Sequence, residues 1–115
     1  MSIVKTQKNI CKKYGANYKE SLPSLKVGIS KGVQKGINSI HALRHFPIGD
    51  TTGWYIWTGE YSDDLNFFEP LHIEHLKERC PLILPYLGLD SGWRFLLAEN
   101  GNYVDVWKDD NLLTK

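Results

Sequence analysis

The sequence predicts an α+β fold: an antiparallel sheet of about five strands packed by two or three helices, with an amphipathic helix at the N-terminus. Three observations predict it. Apolar residues near the N-terminus recur at spacings of three and four, later segments alternate or are dense in aromatic and β-branched residues, and Asn100-Gly101 sits between two of these as a strong short hairpin signal. The 115 residues, 42% hydrophobic and 23% charged, have the composition of an ordinary globule. One domain spanning residues 1–115 is expected, with 1–22 as a helical segment and 23–115 as the α+β core.

Taken in order, Ile3, Gln7, Ile10, Cys11, Tyr14 and Tyr18 form one helical stripe, with Lys5, Lys8 and Lys12 turned away from it and Gly15 placed to end or interrupt the helix. After Pro23, Leu25 to Ser30 alternates as a half-buried strand does, and Lys31-Gly32 supplies a turn. Ile40 to Phe46 reads as a second strand. Pro47 to Gly53 is turn chemistry, and Trp54 to Thr58 after it has the content of a central strand.

From Pro70 the period changes. Ile73, Leu76, Lys77 and Cys80 share a helical stripe, with Pro70 acceptable in the first turn and Pro81 closing the run. Leu82 to Leu87 is a further apolar turn ended by Gly88. Trp93 to Ala98 and Tyr103 to Trp107 flank Asn100-Gly101 as a hairpin. Asp50-Thr51-Thr52-Gly53-Trp54 and Asp90-Ser91-Gly92-Trp93 are two acidic-hydroxyl-glycine turns, each entering a Trp-led strand. Their flanks do not match, so two uses of one good turn explain them more simply than an old duplication does.

Charge narrows the function. Residues 1–50 hold nine Lys/Arg against two Asp/Glu, and residues 51–115 hold five against eleven, so a net charge of +1 conceals halves of +7 and −6. Either the halves attract each other within the fold, or the acidic half presents a patch to a basic partner. A nucleic-acid role would require a dominant basic field and a pI above about 9; the pI is about 7.8. The N-terminus lacks the apolar core of a secretory signal, and no apolar run approaches the roughly 20 residues that cross a bilayer. A cytoplasmic chain without membrane contact is therefore expected. Cys11 and Cys80 are too few for a disulfide scaffold and are expected as buried free thiols.

Catalytic chemistry finds little support. His72 and His75, three apart, and His41 and His45, four apart, raise the idea of a metal site. Zinc needs three or four converging ligands, however, and the H-E-x-x-H order is absent, so no metal and no cofactor are expected. There is no G-x-S-x-G elbow, and Gly28, Gly32 and Gly36, repeating every fourth residue, match neither phosphate-binding glycine pattern. Glu60, Asp63, Asp64 and Glu69 gather after the Trp54 strand beside Phe67-Phe68. Acids next to aromatics suit a protein interface, where rings anchor and charge sets the association rate. Trp57, Glu60, Asp63, Asp64, Phe67 and Glu69 are the candidate partner-binding residues. Asp50, Gly53, Trp54, Asp90, Gly92 and Trp93 are the turn motif, with a structural role as its simplest reading.

The run Asp50 to Glu60, followed by Tyr61-Ser62-Asp63-Asp64, then Pro70-Leu71-His72 and Cys80-Pro81-Leu82-Ile83, resembles the bacterial immunity protein thirty-three domain family. Two departures stand out: Thr51-Thr52 occupies the place of a single serine, and Gly59-Glu60 lacks an intervening acid. The resemblance spans roughly Ser30 to Trp107 and carries Trp54 and Glu60 as the motif positions, with Trp54 filling the core and Glu60 holding a turn if their role is structural. It implies a bacterial antidote that binds a cognate protein toxin stoichiometrically, without turnover; a basic nuclease would suit the acidic half. Two other classes stay open: a regulatory or scaffold domain that binds an endogenous protein, and a small metal-dependent enzyme using His72, His75 and an acid. An exposed Trp57 or Trp93 would also allow a homodimer.

Overall fold

A computed structural model describes residues 3–35, 37 and 39–113. Gly36, the last of the evenly spaced glycines, lies outside the described residues. Helix α1 (Ile3–Tyr14) precedes strands β1 (Lys26–Ser30), β2 (Ser39–Arg44), β3 (Thr51–Trp57) and β4 (Phe68–His72). A 3-10 turn, Ile73–His75, leads into the short helix α2 (Leu76–Arg79) and a second 3-10 segment, Pro81–Tyr86; β5 (Trp93–Ala98) and β6 (Tyr103–Lys108) follow. The fold is α+β, as the periodicities require.

Six strands form one sheet in the order β4-β1-β3-β2-β5-β6. Neighbours are antiparallel except β1 and β3, which run parallel because β3 inserts between β1 and β2. The sixth strand comes from the segment expected as the first turn of a helix. Phe68 to His72 instead pairs with β1, Gly28 lying opposite Pro70. Pro70 is compatible with this because β4 is an edge strand, where a missing N–H interrupts no interior ladder. The helical stripe predicted from Pro70 begins only at Ile73, and Ile73, Leu76 and Cys80 do face the core from it. Tyr103 pairs with Ala98, so β5 and β6 form the expected hairpin, turning through Glu99 to Asn102.

One face of the sheet carries the helical layer. Val27, Ile29, Ile40, Ala42, Trp54, Ile56, Phe95 and Leu97 point into a core shared with Cys11, Leu76, Ile83 and Leu87. α1 packs on the Pro81–Tyr86 segment; Gln7 Nε2 donates to Leu84 O (2.9 Å) and Cys11 Sγ to Gly88 O (3.2 Å). Its C-terminus closes when the Ala16 N–H donates to Cys11 O at 2.9 Å, the Schellman arrangement that satisfies an end carbonyl around Gly15. Tyr18, expected on the helical stripe, lies beyond α1 and bridges to Leu89. Both cysteines are free and buried, and burial pushes both thiols above their ordinary range.

Candidate functional site

Because strand side chains alternate, the face opposite the helices is fixed by the same register that builds the core. Ile40, Ala42 and Arg44 of β2 point inward, so His41 and Leu43 point outward. His41 lies opposite Trp57, Leu43 opposite Tyr55, and on the other side the same two residues pair with Leu96 and Arg94. Arg94 in turn lies opposite Trp107, its guanidinium 5.5 Å from the ring, and pairs with Asp109 at 3.1 Å. At the other edge Phe68 lies opposite Ser30 and beside Tyr55.

The result is an aromatic surface. Tyr55 meets Phe68 edge-on at 5.2 Å and His45 at 5.6 Å; Trp57 stacks on His41 at 5.4 Å and meets Tyr61 at 5.4 Å; Phe67 packs on Phe68 at 4.9 Å. These offset and edge-to-face geometries are those that ring quadrupoles favour. Tyr61 and Phe67 come from the loop between β3 and β4, which folds back over one end of the face. Between this loop and the strands, Leu43, His45, Tyr55, Tyr61 and Phe68 line a cleft of about 290 Å³. Tyr55, 37% exposed, stands at its centre. Burial first, and then the Arg94 charge, lower the His41 pKa below the ordinary imidazole value, favouring its neutral form on this face.

The predicted partner residues fall around this cleft in different ways. Trp57 is on the open face but only 5% exposed, roofed by Tyr61 and Phe68, so it supports the surface from beneath. Phe67 is half-buried in the same cluster. Glu60, Asp63 and Asp64 are exposed on the loop, and Asp64 also accepts the Asn66 N–H at 2.8 Å to shape it. Glu69 is drawn away to Arg79 at 3.2 Å, which itself donates to the Val33 and Ser30 carbonyls. Tyr55, Phe68, Leu43 and His45 were not among the predicted partner residues. A signal for Tyr55 was present: it stands between inward-pointing Trp54 and Ile56.

The turn motif works from behind the sheet. Trp54 is 1% exposed and packs on Phe95 at 5.4 Å, its indole N–H donating to Leu87 O at 3.1 Å. Arg44 is equally buried. Its guanidinium donates to the carbonyls of Thr52 (2.9 Å), Lys19 (2.9 Å) and Leu89 (2.8 Å), with longer bonds to Leu87 and Glu20, and lies 5.4 Å from the Trp54 ring. Burial lowers its pKa to about 10, so it remains a cation at neutral pH. Gly53 and Gly92 both sit at φ +91° on either side of β2. The His45 N–H donates to Gly53 O (2.9 Å) and the Gly92 N–H to Arg44 O (2.7 Å), so the two turns grip the end of β2 from both flanks. Ser91 adds a bond from Oγ to His45 O at 3.1 Å, Asp90 accepts the Ser91 N–H at 2.8 Å, and Asp50 pairs with Lys26 at 2.8 Å. Trp93 is half-buried against the core. Both turns thus pin the same end of β2.

The metal candidates do not assemble. His72 and His75 rings are 6.1 Å apart, and among the described residues no three His, Cys, Asp or Glu side chains converge on a point. No described helix is long and apolar enough to cross a membrane. The family model described as the Imm33-like domain matches residues 6–109, nearly the whole chain and both glycine turns. No curated protein sequence and no solved structure matches.

Proposed function

Because this chain belongs to the Imm33-like domain family, we propose that it is a bacterial immunity protein that neutralises a cognate toxin by binding it, without turnover. The contact surface in this reading is the open sheet face, with Tyr55, Tyr61 and Phe68 as anchors and Glu60, Asp63 and Asp64 as its acidic rim. A single observation carries it: an aromatic cleft on the sheet face opposite α1 and α2. Large aromatic rings packed on one another are what binding hot spots are made of. Trp57 and Phe67 belong to the surface as its packing support.

The charge distribution favours the same reading. The ion pairs Lys26–Asp50, Arg79–Glu69, Arg94–Asp109 and Lys108–Asp110 each join residues of one half of the chain. Glu60, Asp63 and Asp64 belong to none of these four. An acidic lip beside an aromatic cleft attracts a basic partner, a nuclease among the candidates, and speeds its capture. The antidote would act in the cytoplasm, where such a toxin meets its target. Co-expression with the product of the gene immediately upstream tests this: growth is restored and the two chains co-purify. Undiminished toxicity with no complex would refute it and favour a regulatory domain with an endogenous partner.

A further inference from the structure

Resting on the immunity reading, we infer that the cleft between Tyr55, Tyr61 and Phe68 takes a guanidinium or ammonium side chain from the partner, so that the toxin's anchor is an arginine or lysine. Three features of the site point to a cation rather than an apolar plug. The lining is mostly rings: Phe68 meets Tyr55 edge to face at 5.2 Å and Tyr61 in a tilted contact at 6.1 Å, and all three border the cleft. Rings so placed attract a cation through their quadrupoles, more strongly as water is excluded.

Second, the acids stand on the loop that carries Tyr61. Glu60 is bonded directly to Tyr61, and Asp63 follows two residues on, with consecutive Cα atoms about 3.8 Å apart. Both acids are exposed, so a cation seated against Tyr61 sits in the field of an acidic loop. Third, two cations of this chain, Arg94 and Lys26, are already paired. Arg94 stacks beneath Trp107 and pairs with Asp109, and Lys26 pairs with Asp50, so neither is drawn into the cleft. At about 290 Å³ the cleft exceeds one side chain, leaving room for the stem of a lysine or arginine and its flanking backbone. An arginine fits it best, because its planar head can stack on one ring while its N–H groups reach a carboxylate.

The test uses the intact chain and three short probes: the blocked tripeptides Gly-Arg-Gly, Gly-Lys-Gly and Gly-norleucine-Gly. NMR titration follows the ring resonances of Tyr55, Tyr61 and Phe68 and the indole N–H of Trp57, at pH 7.5. The arginine peptide is expected to saturate these shifts with about tenfold higher affinity than the norleucine peptide. That preference should vanish in Tyr61→Leu and shrink in Glu60→Gln/Asp63→Asn, both surface changes whose folding is checked by circular dichroism. Equal affinity for arginine and norleucine, or shifts confined to other parts of the chain, would overturn the inference. Toxin that binds the sheet face undiminished by Tyr61→Leu would overturn the cationic anchor and leave the immunity reading standing. A retained arginine preference in a chain that rescues no toxin would uphold the cation cleft and remove the immunity reading instead.

Discussion

The Tyr55 ring lies across the bare Cα of Gly28: a methyl group added at Gly28 would stand 2.8 Å from Tyr55 Cδ1. The absence of a side chain on β1 is therefore what lets the central tyrosine of the cleft lie down on the sheet. Gly28→Ala should tilt Tyr55 off the face and weaken partner binding by about 1 kcal/mol, roughly fivefold, the penalty of a displaced anchor. Isothermal titration against the toxin checks this, with thermal melting to confirm the fold.

Removing the rings themselves separates binding from stability. Tyr55→Ala and Tyr61→Ala are expected to cost the fold less than about 1 kcal/mol, as surface changes do, yet to weaken the partner complex by about 2 kcal/mol each. Trp57→Ala should differ. It is almost fully covered, so it is expected to lower stability by about 3 kcal/mol and to lose binding through the collapse of Tyr61 and Phe68. Parallel chemical denaturation and affinity measurements distinguish the two classes.

Arg44 carries the opposite signature. It donates to five carbonyls from a buried position, so Arg44→Met leaves those oxygens unsatisfied and should destabilise the chain by about 3–5 kcal/mol. Arg44→Lys should recover little, because one ammonium cannot span acceptors arranged around a planar fork. Gly53→Ala should cost about 3 kcal/mol, since φ +91° is strained for an L side chain and its Cβ would strike the His45 carbonyl. Urea unfolding measures all three.

The acid rim is expected to act on rate. Glu60→Lys/Asp63→Lys is expected to slow association with a basic toxin by about tenfold at low salt, with the difference fading near 0.5 M salt as screening shortens the reach of the charges. Stopped-flow fluorescence of Trp57 and Trp107 follows it.

His41 gives the pH dependence. Its folded pKa is lowered, so the unfolded chain binds the proton more readily. The stability from keeping the ring neutral is fully present above about pH 6.5 and is lost as pH falls below that value. The wild-type melting temperature should fall more between pH 7.5 and 5.5 than that of His41→Gln, as calorimetry at both pH values would show.

Much of this was legible in the chain because the core obeys short-range rules. Alternation in Lys26–Ser30, the Asn100-Gly101 turn and the helix Ile3–Tyr14 emerged where expected, although of the predicted helical stripe only Gln7 and Cys11 are buried and Ile3 is exposed. β4 was hidden because Pro70 and the Ile73-Leu76-Cys80 spacing read as one helix, whereas the sheet claims the first part and the helical layer the second. Insertion of β3 between β1 and β2 is a long-range choice that no local pattern encodes. The acids of the site were visible as a cluster, but the cleft was not. It exists only once Leu43, Tyr55 and Phe68, from three strands, are set side by side, and once the bare Gly28 admits the ring.

The most direct test of the open face as the binding surface is hydrogen–deuterium exchange on this chain alone and in complex with the toxin encoded upstream. Slowed exchange in β2, β3 and the 58–67 loop, with α1 and the 81–86 segment unchanged, is the predicted result. Slowing confined to α1 and residues 73–89, with the aromatic face exchanging as before, would contradict it and place the contact on the helical layer.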